Sequence, residues 1–172
     1  MKPKLTIARL LTAPLLLALL ASCNKPEDNP SAAGSANSAA AAAQQDSIDF
    51  SQAAYPGSIK EVRGMSGPEP KGRWTDGPSA VFVFKEALHG KVQLSISALP
   101  YEANAGKEVV FALGGVQKSL VFKPNLNNFQ TLSAEFDLPA PSDTLEIRIP
   151  EPTLPPGGNR RLGLFIASIK LD

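Results

Sequence analysis

The stretch Val92–Ala98, VQLSISA, alternates apolar and polar side chains, which is the period of a half-buried β-strand. The same alternation returns in Leu132–Leu138, LSAEFDL, and in Leu145–Ile149, LEIRI. Each run would turn one apolar face toward a core and one polar face toward solvent, as strands of antiparallel sheets do. These three runs therefore predict a sheet protein.

Three further runs are apolar on both faces, so we expect them to be central strands: Ala80–Phe84, Val109–Leu113 and Leu162–Ile166. Turn signals rich in glycine, proline and asparagine separate the runs: Pro56-Gly57, Gly67-Pro68, Asp76-Gly77-Pro78, His89-Gly90, Gly114-Gly115, Asn125–Asn128 and Pro155–Gly158. No convincing amphipathic helix interrupts them. The pattern predicts an all-β fold, an antiparallel β-sandwich of jelly-roll-like type with about 8–10 strands.

Residues 1–22 have the organisation of a secretory signal peptide. Lys2, Lys4 and Arg9 give a positive start, and a leucine-rich centre runs from Leu10 to Leu20. This centre is too short for a comfortable transmembrane helix, which needs about 20 apolar residues. We therefore predict that this segment directs export.

The chain has one cysteine, Cys23, and it follows Leu20-Ala21-Ser22 directly. The tetrapeptide resembles the lipobox of bacterial lipoproteins, which implies cleavage before Cys23 and attachment of lipid to its sulfur. One acyl chain anchors a protein only marginally, whereas the three of this family hold it stably in a lipid membrane. Asn24, in place of the aspartate that favours inner-membrane retention, implies the outer membrane if the cell envelope is Gram-negative. The alternative is an ordinary signal peptide with a chance cysteine.

Residues 23–46 join the lipidation site to the rest of the chain. They are rich in alanine and serine and lack aromatic and large aliphatic side chains, so we predict a disordered linker. A short helix at Ala39–Ala43 is the alternative, since alanine favours helices. Residues 47–172 remain as one β-sandwich domain of ordinary size.

The charge balance argues against a nucleic-acid partner. The chain holds 17 Lys and Arg against 16 Asp and Glu. Without Lys2, Lys4 and Arg9 the basic residues fall to 14, which leaves a net charge of about −2 on the exported part. A groove that binds phosphates would normally show a basic excess.

The densest cluster of polar and aromatic residues is Glu69–Pro78, EPKGRWTDGP, which contains the single tryptophan. Sugar sites combine an aromatic face with carboxylate and guanidinium groups, so Glu69, Arg73, Trp74 and Asp76 are candidate ligand-binding residues. The structural alternative is that Trp74 closes one end of the sandwich while Arg73 and Asp76 fix the adjoining turn.

Two predicted loops supply further candidates. Leu99–Lys107 carries Tyr101 and Asn104, and Ile149–Gly163 carries Arg160 and Arg161. Loops at one end of a sandwich often form a binding site, although loops are also simply where polar residues lie.

These motifs occur together, and in this order, in one known family. Glu69, Gly72-Arg73-Trp74 with Asp76-Gly77, the Leu99–Gly106 loop, the proline-rich Ile149–Pro156 run and Arg161-Leu162-Gly163 resemble a domain of unknown function. It occurs at the C-terminal end of phosphoglycerol-transferase-like and related glycan-modifying envelope proteins. The family often has tryptophan in place of Lys71, a longer loop in place of Tyr101–Asn104, and an aspartate near Asn159-Arg160. The resemblance implies a non-catalytic β-sandwich accessory domain.

We predict no catalytic residue, metal or cofactor. His89 has no partner motif, Gly64-Met65-Ser66-Gly67 lacks the setting of a nucleophile elbow, and no zinc-ligand spacing occurs. Glu69 and Asp76 remain open as a carboxylate pair for glycoside chemistry, and calcium binding by loop oxygens remains open too. The predicted function is an envelope lipoprotein that binds a glycan. The alternative is a structural lipoprotein that docks on another envelope protein.

Overall fold

The computed structural model describes residues 47–125 and 127–172, and the predicted signal peptide, Cys23, Asn24 and linker lie outside these ranges. Eight strands make up the fold: β1 Ile48–Asp49, β2 Ile59–Arg63, β3 Arg73–Asp76, β4 Ser79–Pro100, β5 Glu108–Leu113, β6 Val116–Val121, β7 Gln130–Arg148 and β8 Leu162–Leu171. All strand pairings in these ranges are antiparallel. The structure confirms the predicted antiparallel β-sandwich.

Two long strands, β4 with 22 residues and β7 with 19, pair with each other along most of their length and link the two layers of the sandwich. The start of β4 pairs with β2 and its end with β8, while the end of β7 pairs with β5. The register between β4 and β7 shifts on both sides of Leu88. Such irregularities let one strand turn from one layer into the other.

One layer therefore contains β1, β3, β8, the end of β4 and the start of β7. The other contains β2, the start of β4, the end of β7, β5 and β6. We call them the β8 layer and the β5 layer. Within the described ranges, the only helical element is one turn of 3-10 helix at Glu102–Asn104, and no helix is long and apolar enough to span a bilayer.

The predicted turn at His89-Gly90 is wrong, because both residues lie inside β4. Gly90 has a φ of 67°, a conformation that glycine adopts without strain, and it marks the irregularity rather than a chain reversal. The runs Ala80–Phe84 and Val92–Ala98 are consequently parts of one strand. Leu132–Leu138 and most of Leu145–Ile149 likewise share β7.

The core fills the space between the two layers with aliphatic and aromatic side chains. Its largest fully buried members are Ile48, Phe50, Phe82, Leu94, Ile96, Phe111, Leu113, Phe122, Phe136, Leu145, Ile147 and Leu164. Burial of such side chains stabilises each by about 1.5–3 kcal/mol relative to exposure. The strands predicted to be central are so: β5 lies between β6 and β7, and β8 lies between β4 and the edge strands β1 and β3.

Candidate functional site

Strand β3 carries the motif Gly72-Arg73-Trp74 to the edge of β8 and separates its side chains by strand alternation. A Cβ atom at Gly72 would overlap the backbone carbonyl of Ile166, so glycine permits this close approach. Arg73 then points inward and is 6% exposed, whereas Trp74 is half-buried on the opposite face. Neighbouring residues of one motif thus face different surroundings.

The guanidinium group of Arg73 is engaged inside the protein. It donates at 2.7–3.4 Å to four backbone carbonyls, those of Phe50, Gln52, Ala53 and Ser66. Its central carbon also lies 4.4 Å from the centre of the Tyr55 ring, a cation–π contact. Arg73 therefore fastens the segment Phe50–Tyr55 to the fold.

Tyr55 completes this inner cluster. Its ring meets Phe50 edge-on at 6.0 Å. Burial raises the pKa of Tyr55, and the positive charge of Arg73 opposes part of that effect. Nearby, an open depression of about 400 Å³ is lined by Ser47, Asp49 and residues 52–56, and Tyr55 is its one aromatic residue.

Trp74 belongs to a continuous row of apolar side chains on the solvent face of the β8 layer. Its ring lies 4.9 Å from that of Phe165, its register partner on β8, and 5.7 Å from that of Tyr101. Phe165 also pairs in register with Leu99 of β4 and stacks on Phe129 at 5.8 Å. All five are half-buried. We call this row, Tyr101, Trp74, Phe165, Leu99 and Phe129, the apolar stripe.

Asn104 is 0% exposed and serves the protein itself. Its Nδ2 donates to the carbonyl of Glu151 at 2.9 Å, and its Oδ1 accepts from the backbone N–H of Glu151 at 3.0 Å. This two-way bond ties the loop after β4 to the proline-rich loop after β7. Both polar atoms of the Asn104 side chain are therefore hydrogen-bonded within the protein.

The remaining predicted site residues lie on or near the surface. Glu69 and Arg160 approach to 4.0 Å, which joins the hairpin before β3 to the loop before β8. Arg161 is exposed and donates to the carbonyl of Pro152 at 3.2 Å. Asp76 ends β3 opposite Leu162, so Asp76 and Arg161 sit at the same end of the β8 layer.

The structure thus brings two of the eight predicted ligand-binding residues, Trp74 and Tyr101, into the apolar stripe. It turns Arg73 and Asn104 inward. The sequence analysis missed Leu99, Phe129 and Phe165. Phe165 carries a signal in the sequence, since it falls on the opposite strand phase to its core neighbours Leu164 and Ile166.

The residues considered for catalysis have other settings. The Ser66 hydroxyl donates to the carbonyl of Gly67 and accepts from the N–H of Trp74, so it holds β3 in place. His89 is exposed within β4. Across residues 47–125 and 127–172, no group of three His, Cys, Asp or Glu side chains is placed to hold a metal ion.

Comparison with known proteins identifies the family. Residues 35–172 match the family model described as "Domain of unknown function (DUF7024)". The chain belongs to the DUF7024 family. Its motifs therefore belong to a shared domain, and the resemblance predicted from them is confirmed for the folded part.

Curated relatives of this DUF7024 protein include phosphoglycerol transferase I of Escherichia coli O139:H28 (strain E24377A / ETEC) and of Shigella boydii serotype 18 (strain CDC 3083-94 / BS512). Each is 33% identical over 135 residues, which cover 73% of this chain. The match covers 17% of each transferase, so the DUF7024 chain corresponds to a small part of these enzymes.

Solved structures similar to the DUF7024 chain include "BiXyn10A CBM1 APO", with a TM-score of 0.46, 14% identity and coverage of 74% of this chain and 96% of that one. A family 35 carbohydrate binding module from an environmental isolate aligns with a TM-score of 0.44, 13% identity and coverage of 74% and 93%. The C-terminal CBM6 of LamC from Zobellia galactanivorans aligns with a TM-score of 0.44 and 12% identity, and the alignment covers 73% of this chain and 96% of that one.

Proposed function

We propose that this protein is a non-catalytic, lipid-anchored component of the cell envelope and that its apolar stripe binds a glycan. The observation that carries the proposal is the stripe itself, five half-buried apolar side chains in a row on the solvent face of a sheet. Contiguous apolar surface rimmed by polar residues marks interaction sites in soluble domains.

The chemistry of the stripe suits a sugar. The faces of Trp, Tyr and Phe rings carry negative potential and attract the weakly positive C–H groups of a sugar ring. Trp74 and Phe165 are held by register pairing on adjacent strands, so their rings are positioned before any ligand arrives. Such prior ordering reduces the entropy cost of binding.

The small share of the relatives that the chain matches supports an accessory role rather than group transfer. The matched relatives are transferases by name, and the chain corresponds to 17% of each of them. An accessory domain that holds a glycan is consistent with that small share.

The anchor is the second part of the proposal. The Leu20-Ala21-Ser22-Cys23 tetrapeptide supports lipidation at Cys23, and Asn24 supports the outer membrane if the envelope is Gram-negative. Residues 24–46 would then tether the domain near the lipid surface. Metabolic labelling with a radioactive fatty acid, in the wild type and in Cys23→Ser, tests this part separately.

The binding test uses the full chain, purified in detergent, and calorimetric titration with glycans isolated from the source envelope. We expect saturable heat, and we expect Trp74→Ala to weaken affinity at least tenfold because it removes the largest aromatic ring of the stripe. Val121→Ala is the matched control, since Val121 is an exposed apolar residue of the β5 layer, 46% exposed. Equal loss in both variants, or heat that survives in Trp74→Ala, would contradict the proposal.

Docking on another envelope protein is the second candidate. Two observations favour it: the stripe is apolar, and β6 pairs on one side only, with β5, among the described strands. An open edge can accept a strand from a partner. Absence of heat with every glycan, together with a crosslinked partner lost in Trp74→Ala or in Ser119→Pro, would favour docking.

A further inference from the structure

We propose that the hydroxyls of Ser97, Ser168 and Thr131 form the hydrogen-bonding half of the site, so that the ligand is an uncharged, hydroxyl-rich glycan chain lying across the strands. This inference rests on the proposed function and names its ligand class. It follows from how three strands of the β8 layer are aligned.

The register places a row of hydroxyls beside the apolar stripe. Ser97 of β4 pairs with Ser168 of β8 on one side and with Thr131 of β7 on the other. Register partners share a face of the sheet, and Ser97 is flanked by buried Ile96 and Ala98, so all three hydroxyls face solvent. Leu99, two residues beyond Ser97, is a member of the stripe, which makes the two rows neighbours.

The three hydroxyls are available to a ligand. Among the described residues, none of them takes part in a side-chain hydrogen bond. A serine or threonine hydroxyl donates one hydrogen bond and accepts two. It therefore matches a sugar hydroxyl, which has the same dual character. Apolar rings on one side and free hydroxyls on the other correspond to the two kinds of surface of a sugar chain.

The cations on the parts of β4 and β8 that lie in the β8 layer are paired, which favours an uncharged ligand. Lys170, in the next row on β8, lies 2.7 Å from the carboxylate of Asp172. Lys91 lies 3.8 Å from Glu135 on the same layer. The guanidinium of Arg73, next to Trp74, is turned inward and used by carbonyls. A carboxylate or phosphate on the ligand would call for an unpaired cation at the row.

The extent of the stripe fits a chain rather than a single sugar. The stripe crosses β3, β8 and β4 and ends at Phe129, just before β7. Neighbouring strands lie about 4.8 Å apart, so its length across the sheet is roughly 15 Å. That length accommodates more than one sugar ring.

The test measures retardation of the full chain in native gels that contain defined polysaccharides. Hydroxyethyl cellulose and laminarin are the uncharged probes, and polygalacturonate is the anionic probe. We expect an uncharged probe to retard the wild type and polygalacturonate not to do so. The double variant Ser97→Ala/Ser168→Ala should weaken retention about tenfold, because two hydrogen bonds are lost.

The matched control is Ser95→Ala/Ser133→Ala. Ser95 and Ser133 are register partners on the same face, one row further from the stripe. This control should retain wild-type affinity. Thr131→Val, which keeps the side-chain shape, should weaken binding by a smaller factor and covers the case in which the double variant fails to fold.

The outcomes separate the two proposals. Loss of binding in Trp74→Ala with full binding in all hydroxyl variants overturns the hydroxyl row and leaves glycan binding in place. If neither uncharged probe retards the wild type, whether or not polygalacturonate does, the proposal of an uncharged ligand is overturned. If envelope glycans also give no heat in the calorimetric titration, the proposed function itself fails.

Discussion

The inner and outer faces of β3 differ more than two neighbouring residues usually do. On the inner face, Arg73 is 6% exposed and donates hydrogen bonds to the backbone carbonyls of four residues that precede β3 in the chain. On the outer face, Trp74 lies half-buried in a row of apolar side chains with nothing covering it among the described residues. One motif therefore contains a residue that holds the fold together and a residue that is free to meet a ligand.

This contrast shows that the order of residues in a motif does not assign their roles. Strand alternation sends Arg73 and Trp74 to opposite faces, and the two faces have different chemistry. Substitutions on the inner face should therefore change stability, and substitutions on the outer face should change binding.

The largest expected effect is on stability, from Arg73→Ala. Removal of the guanidinium leaves buried carbonyls without donors, and we expect the free energy of unfolding to fall by about 3 kcal/mol. Urea denaturation of the full chain measures it. Lys71→Ala, at an exposed position in the preceding turn, is the control and should change stability by less than about 0.5 kcal/mol. If Arg73→Ala keeps its stability and loses glycan binding, the contrast between the faces breaks down.

The second prediction concerns Asn104, which resembles Arg73 in serving the backbone. Asn104→Ala removes both bonds to Glu151, and we expect a loss of about 2 kcal/mol in the free energy of unfolding. Denaturation monitored by Trp74 fluorescence would measure it. Asn159→Ala, at an exposed asparagine, should leave the midpoint unchanged. An Asn104→Ala protein of normal stability would return Asn104 to the list of ligand-binding candidates.

Most of the fold could be predicted from the sequence, because the alternation of apolar and polar side chains is a property of each short run of residues. Runs such as Val92–Ala98 specify a strand and its buried face from their own residues. The error at His89-Gly90 has a physical cause: a glycine with positive φ serves a turn and a strand irregularity equally well. Only the pairing of β4 with β7 on both sides of Gly90 distinguishes the two.

The candidate site could be predicted from the sequence only in part, because its residues come together through the pairing register of separate strands. Trp74 and Tyr101 attract attention by residue type, but Phe165 and Leu99 join them only because β8 lies between β3 and β4. Arg73 bonds to carbonyls about 20 positions away, and Asn104 bonds to a residue 47 positions away. Nothing local in the sequence indicates those partners.

The smallest expected effect is a pH dependence at Tyr55. Its pKa is raised in the folded state by burial, so as the pH rises past 10 the unfolded chain loses this proton first. Stability that is complete at lower pH should therefore decline at alkaline pH. Tyr55→Phe should reduce the decline between pH 9 and 11 while it retains the contact with Arg73, as seen in melting temperatures against pH. An identical alkaline profile in both proteins would show that the cation over the ring offsets the burial.

The point where the described chain enters the domain has a mechanical consequence. Ile48 pairs with Ile169, which lies near the C-terminal end of β8. Arg73 donates hydrogen bonds to the carbonyls of Phe50, Gln52 and Ala53, which follow β1. If a ligand held the stripe while the N-terminal segment was pulled, the force would enter through β1 and pass along β8. The short pairing of β1 with β8 would then be loaded in shear. The hydrogen bonds of Arg73 to the residues after β1 would resist separation once that pairing broke.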